Sequence, residues 1–309
     1  MDYRSIRIVF MGTPDFARAS LEKLVDAGCN IVGVITAPDK PAGRGMKLQQ
    51  SSVKEYALLK GLHILQPEKL KDPQFLEALK NLTADLQIVV AFRMLPELVW
   101  NMPPLGTINV HGSLLPDYRG AAPINWAVIN GEHETGVTTF KLKHEIDTGN
   151  ILMQDKMPIG ENETAGEVHD RMKLLGADLL LRTIQAVANG SIQEIPQNSF
   201  SGEPKHAPKI FTETCRINWN KNAVEIHNLI RGLSPFPTAF TILQDKTFKI
   251  YQSSYEIRTH DEEPGKIKIH DGRLAFACSN GFVYPTIVQA EGKKRMAVED
   301  FLRGFRINQ

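Results

Sequence analysis

The stretch Ile6-Arg7-Ile8-Val9-Phe10-Met11-Gly12-Thr13-Pro14-Asp15-Phe16 decides the fold. Its first six residues form a largely apolar run rich in β-branched side chains, which suits a strand. Gly12 to Asp15 reads as a tight turn, and Phe16, Leu21, Leu24 and Val25 then recur at helical spacing. Working outward, residues 31–35, 85–92 and 107–110 read as three further buried strands. Continuous rather than alternating apolar runs point to a parallel sheet covered on both faces. Strand and helix alternate, so the expected fold is α/β, a doubly wound, mostly parallel sheet. A long helix is expected over residues 164–189, with Thr164 as N-cap, Glu167 completing a capping box and Gly190 as the stop.

The pattern changes after that helix. Residues 191–208 hold Pro196, Gly202, Pro204 and Pro208 with little periodicity and read as a linker. Beyond it, short β-like runs at 239–242, 248–255, 265–270, 274–278 and 282–288, with one helix near 222–230, suggest a small, OB-like β-barrel. The expected domains are therefore residues 1–190, a linker at 191–208, and residues 209–309. A length of 309 residues agrees with two domains.

Composition excludes several classes. With 36 Lys and Arg against 35 Asp and Glu, the whole chain carries a net charge of only +1. From His206 onward the count is 15 basic to 11 acidic residues, a modest excess that a polyanion-binding barrel and an ordinary solvated surface share. Cys29, Cys215 and Cys278 lie far apart and form no CxxC pair, so neither a zinc ribbon nor a disulfide scaffold is expected, and unpaired thiols suit a reducing cytoplasm. The opening Met1 to Ser5 is wrong for a signal peptide, and no run of about 18 apolar residues marks a membrane span. A cytoplasmic monomer is the expectation.

Gly12 stands where a dinucleotide phosphate turn would be. The pattern GxGxxG is absent, however, and Pro14 removes an amide donor, so bound NAD or FAD is disfavoured and Gly12 reads more readily as a plain tight turn. The densest polar cluster is Asn109-Val110-His111-Gly112-Ser113-Leu114-Leu115-Pro116. Asn109 and His111 share one side of a strand at the sheet end where such folds bind ligands. That pair can hold an oxyanion and handle a proton, although a structural histidine fits the same pattern. Asp147 follows the run 136–143, as a catalytic carboxylate or as a turn residue. Ser113 lacks a GxSxG elbow, so a serine nucleophile is not supported.

Together these segments resemble the folate-dependent formyltransferases. Ser113-Leu114-Leu115-Pro116-Asp117-Tyr118-Arg119-Gly120 is similar to their SLLPxYRG motif, residues 136–152 are similar to their longer signature, and Asn109, His111 and Asp147 match their catalytic trio. Five further stretches resemble the branch that formylates methionyl-tRNA: residues 10–16, Pro38-Asp39-Lys40-Pro41-Ala42-Gly43-Arg44-Gly45, Gly120-Ala121-Ala122-Pro123-Ile124, Ala207-Pro208-Lys209-Ile210, and Leu233-Ser234-Pro235-Phe236-Pro237.

The resemblance implies 10-formyltetrahydrofolate as co-substrate, initiator methionyl-tRNA as acceptor, and no tightly bound cofactor or metal. It implies that Asn109 donates to the oxyanion, that His111 acts on the proton or the oxyanion, and that Asp147 orients His111. Ser113, Leu114, Leu115 and Pro116 would line the folate, and Lys40, Arg44, Lys47 and Lys209 would meet tRNA. The basic residues from Asp39 to Gln50 are expected on a loop. Two departures stand out: Ser52 replaces the family's proline, and residues 91–96 are one residue short, so no pterin contact is assigned there. The rival acceptors are an amino sugar nucleotide, against which the basic loop and residues 120–123 argue, and water. An RNA-binding protein with an inert α/β scaffold is the reading from another class.

Overall fold

Strand Arg7–Gly12 forms as the sequence predicts, and burial explains why it can be so apolar: Ile8, Val9, Phe10 and Met11 are fully covered. Burying each such side chain contributes roughly 1.5–3 kcal/mol. The computed structural model describes residues 1–42, 47–270 and 272–305. The sheet has seven strands in the order Ile151–Pro158, Glu134–Lys141, Thr107–His111, Leu86–Val90, Arg7–Gly12, Asn30–Ile35 and Ile64–Leu65. The last five run parallel, and Glu134–Lys141 lies antiparallel to Thr107–His111 with Asn109 opposite Phe140 and His111 opposite Thr138. From Arg7–Gly12 the chain adds strands first on one side and then on the other. That reversal leaves a crevice beyond the carboxyl ends of Arg7–Gly12 and Leu86–Val90.

Gly12 is resolved in favour of a tight turn. A Cβ there would lie 2.5 Å from the Ala17 Cβ and 3.0 Å from the Val90 carbonyl, so glycine is required by close packing of the helix Asp15–Asp26.

The chain divides into two compact units, which do not follow the sequence boundaries. One contains Met1–Arg119, Gly136–Met157 and His169–His206; the other contains Gly120–Thr135, Pro158–Val168 and the chain from Ala207 onward. Residues 191–206, read as a linker, pack with the first unit. Ile195 exchanges backbone hydrogen bonds with Ile151 at 2.8 and 2.9 Å, and Gln197 is buried. The long helix Ala165–Asn189 has its capping box, Thr164 with Glu167, and ends at Gly190 with φ +73° and a hydrogen bond from Ser191 N to Ala186 O.

The second unit is built on an antiparallel sheet in the order Ala239–Leu243, Lys246–Ile257, Gly281–Ala290, Arg273–Cys278 and Ile267–His270, with Met296–Ala297 added to Gly281–Ala290. Helix Ala223–Gly232, capped by Asn222 and Glu225, buries Ala223, Ile226 and Ile230 in one cluster with Phe248, Ile250, Phe276 and Val288. Two earlier segments grip that helix and the turn after it. Asn125, on the helix Pro123–Ile129, donates to Gly232 O at 2.8 Å; the Arg231 guanidinium donates to Glu163 O at 3.1 Å; and Gly166 N donates to Ser234 O at 3.0 Å.

His227 on this helix is 3% exposed and bonds the Ser253 hydroxyl through Nδ1 at 3.1 Å. Burial first, then the nearby Arg231, push its pKa from 6.5 down to about 4. Between those values the unfolded chain binds a proton that the folded chain refuses. Stability should therefore fall as pH drops through that window, by at most ~3 kcal/mol from this group. Urea unfolding at pH 7 and pH 5 is expected to show a smaller drop for His227→Gln than for the wild type; equal drops would remove His227 as a source.

Candidate active site

The strand Thr107–His111 places its last residues at the mouth of the crevice. Asn109 and His111, two apart, share a face. Asn109 is half-buried, and among the described residues its carboxamide has no hydrogen-bond partner. His111 is 7% exposed and sets its edge against Phe140, ring centroids 6.4 Å apart. Its Nε2 lies 2.9 Å from Tyr118 O. A carbonyl only accepts, so Nε2 carries the hydrogen and Nδ1 is the nitrogen left for chemistry. Nδ1 faces Asp147 Oδ2 at 3.9 Å, an ion-pair distance longer than a direct hydrogen bond. The three residues that the sequence singled out therefore come together.

Asp147 sits on the loop between Glu134–Lys141 and Ile151–Pro158 with φ +55°, a left-handed conformation that costs a non-glycine residue about 1 kcal/mol. Residues 143–146 beside it are exposed. Two features hold the loop in place. Gly149 passes so close to the strand that a Cβ would lie 1.6 Å from Lys141 O. Gln197 then donates from Nε2 to the carbonyls of Asp147 and Gly149, both at 2.8 Å, while its Oε1 accepts from Arg119 Nε at 2.9 Å and Nη2 at 2.6 Å. Sequence reading missed Gln197, because it lies in a stretch without periodicity and some fifty residues from the loop it serves.

The four residues expected to line folate divide in two. Ser113 is fully buried and donates its hydroxyl to Asp117 O at 2.6 Å, and Leu115 is 1% exposed in a cluster with Phe140 and Ile151. Both shape the turn, and Leu114 and Pro116 are the half-exposed pair. The turn is fixed by residues that the sequence did not single out. Thr138 Oγ1 donates to Ser113 O and accepts from Leu115 N, and Gln154 Nε2 donates to Leu115 O at 2.9 Å.

The basic segment is a correction to the loop expectation. Lys40–Ala42 and Lys47–Gln49 pair as an antiparallel hairpin that leaves the same sheet end. Lys40 is exposed on it; Arg44 lies outside the described residues, as does the side chain of Lys47. The hairpin's base is anchored by Asp39, whose carboxylate accepts from Lys54 Nζ at 2.6 Å and Gln66 Nε2 at 2.9 Å, bonds that hold its pKa below the usual range. Ser51, not Ser52, caps the following helix Ser52–Leu59 by accepting from Lys54 N, so that helix starts without the proline. Lys209 is exposed, with its ammonium 5.5 Å from the Phe211 ring centroid.

Among the described residues, no three His, Cys, Asp or Glu side chains gather as metal ligands, and no helix is long and apolar enough to cross a membrane. The Cys29 thiol is buried, which pushes its pKa up to about 11 and makes it a poor nucleophile.

Residues 6–184 match the family model described as formyl transferase, and residues 209–306 match that of the formyl transferase C-terminal domain. The chain belongs to the formyl transferase family. It is 56% identical to the methionyl-tRNA formyltransferase of Phocaeicola vulgatus, over 99% of this chain and 98% of that one. It is 52% identical to the methionyl-tRNA formyltransferase of Bacteroides fragilis, over 100% and 98%. Among solved structures it shares its fold with WlaRD, a sugar 3N-formyl transferase crystallised in the presence of dTDP and 5-N-formyl-THF, with a TM-score of 0.68 and 22% identity over 94% of this chain and 99% of that one. The mostly parallel sheet followed by an antiparallel β domain is thus the fold of formyl transferases.

In this formyl transferase the Gly149 contact makes one change decisive. Gly149→Ala should force the loop off the strand and shift Asp147 from His111. A displacement of about 1 Å at a reacting group costs on the order of 10²-fold in rate. Formyl-transfer turnover, measured alongside circular dichroism to confirm folding, is expected to fall by that order; unchanged turnover would show that the loop absorbs the methyl group.

Proposed function

We propose that this chain transfers the formyl group of 10-formyltetrahydrofolate to the α-amine of methionine on initiator methionyl-tRNA. The single observation that carries the chemistry is the half-buried Asn109 carboxamide, without a partner among the described residues, beside the His111 and Asp147 pair at the sheet's carboxyl end. The acceptor rests on the relatives, more than half identical along almost the whole chain, whose names specify methionyl-tRNA.

The methionyl nitrogen attacks the formyl carbon, whose carbonyl oxygen becomes an oxyanion. Asn109 donates to that oxygen from a group that needs no ionisation. His111 Nδ1, held in place through Nε2, relays the proton that the attacking amine loses. Asp147 orients the ring and balances its charge while the proton resides there. The bond from the formyl carbon to folate N10 then breaks, and N10 takes a proton. The folate would lie along Leu114 and Pro116, on the turn that Ser113 and Leu115 hold from inside.

Lys40, Arg44, Lys47 and Lys209 are proposed to meet tRNA phosphates. Catalysis is assigned to the first unit, whose core is the sheet within residues 1–190 and which residues 191–206 complete, and the tRNA body to the OB-like residues 209–309 of the second. The protein is taken to act as a cytoplasmic monomer.

Purified protein given 10-formyltetrahydrofolate with charged initiator tRNA, an amino sugar nucleotide, water alone or no acceptor separates the readings. Formylation of the tRNA alone is expected, and formylation of the sugar nucleotide at equal rate would replace the proposal. His111→Ala, Asp147→Ala and Asn109→Ala should each lower single-turnover transfer by roughly 10²–10⁴-fold while the protein stays folded. A folded variant with near-normal transfer would remove its residue from the mechanism. Lys40→Ala should raise the KM for tRNA and leave folate affinity unchanged, and the reverse pattern would reassign the hairpin.

A further inference from the structure

We infer that Gln197 is a positioning residue for formyl transfer, fixing Asp147 toward His111 while Arg119 fixes Gln197; this rests on the catalytic reading of Asn109, His111 and Asp147. Gln197 is 5% exposed, and its carboxamide makes four hydrogen bonds. Their direction is unambiguous. The guanidinium of Arg119 can only donate, so the amide oxygen must face it. The carbonyls of Asp147 and Gly149 can only accept, so the amide nitrogen must face them. Arg119 therefore sets the orientation in which Gln197 presents two donors to the loop.

The loop needs such a clamp. Asp147 holds a left-handed conformation, and residues 143–146 beside it are exposed. Two donors on alternate carbonyls fix the peptide planes that follow Asp147 and Gly149 and hence the direction in which Asp147 leaves the backbone. With 3.9 Å between Asp147 Oδ2 and His111 Nδ1, the pair has to tighten during the reaction, and a small rotation of the Asp147 backbone would take it out of reach. Gln197 touches neither His111 nor the crevice in any of these bonds; it acts through Asp147. The clamp also gives residues 191–206 a role in the reaction that a spacer between domains would not have.

Gln197→Glu keeps the side chain's size and its contact with Arg119 but removes both donors to the loop. For charged initiator tRNA, kcat is expected to fall about 10- to 100-fold, as for a reacting group misplaced by a fraction of an ångström. KM for tRNA and the dissociation constant for tetrahydrofolate should stay within about 2-fold, the split expected when only the chemical step is affected. In an Asp147→Asn background the same substitution should cost less than about 3-fold, because residues that act as a unit are not additive. Turnover of Gln197→Glu within about 2-fold of wild type, or a loss that multiplies in full with that of Asp147→Asn, would overturn the proposal. Arg119→Met is the second variant. It leaves the loop and Gln197 intact, frees the carboxamide to rotate, and should show the same kcat loss in weaker form and the same non-additivity, so it carries the test if Gln197→Glu fails to fold. Full turnover by Asp147→Asn alone would overturn the catalytic reading itself, a result obtained without touching Gln197.

Discussion

A strand covered on both faces favours apolar residues along its length, and Thr107, Asn109 and His111 are where Thr107–His111 departs from that preference; Thr107 is met by Trp100 O at 2.6 Å. Leu86–Val90 on one side and Glu134–Lys141 on the other take up its backbone groups, so the polar side chains must find partners of their own. Each departure therefore needs a stated reason. His111 meets it with Tyr118 O and Asp147, both reached by chain that turns back after the strand. Asn109 has no partner among the described residues, which is what the proposed oxyanion donor requires. The turn through Ser113 and Leu115, the antiparallel strand carrying Thr138, and the loop carrying Asp147 are all arranged around the end of this one strand.

The hydrogen bonds that hold the site come from several parts of the chain. Carbonyl acceptors are met by fixed donors from elsewhere in the chain: Thr138 and Gln154, on neighbouring strands, serve the turn, and Gln197, on a 3-10 turn, serves the loop. Each donor comes from a different part of the chain, so the site's geometry is set by tertiary structure rather than by local turn preference. Preorganisation of this kind limits the movement needed at the site to small adjustments such as the closing of the 3.9 Å gap between His111 and Asp147.

Four strands of the central sheet, near 6–11, 31–35, 85–92 and 107–110, were legible in the sequence as buried apolar runs, whereas Ile64–Leu65 and Ile151–Pro158, only partly buried, were not; Thr164 with Glu167 was legible because capping is a local signal. The trio was legible through its motifs and through the period of two that sets Asn109 beside His111. What stayed hidden depends on distance. Gln197 reads as a polar residue between prolines, since nothing nearby reveals that Asp147 and Gly149 will offer it two carbonyls. Ser113 and Leu115 share a motif with Leu114 and Pro116, but only packing separates the two that build the turn from the two that remain accessible. The hairpin at Lys40–Ala42 was hidden by Pro41 and by glycines that suit a loop equally well.

The second unit is discontinuous in sequence. The helix Pro123–Ile129 and residues 158–168 lie inside the span matched by the first family model, yet they pack with helix Ala223–Gly232 and with Ser234. The point at which one family description gives way to the next is therefore not a seam in the folded protein. A recombination event that exchanged only the residues after 208 between two relatives would pair a new helix with old Asn125, Glu163 and Gly166, which evolved against a different surface. Inheritance of this half of the molecule has to carry three separated stretches of gene together, and substitutions at Asn125 and at the turn around Gly232 are expected to travel as a pair through lineages.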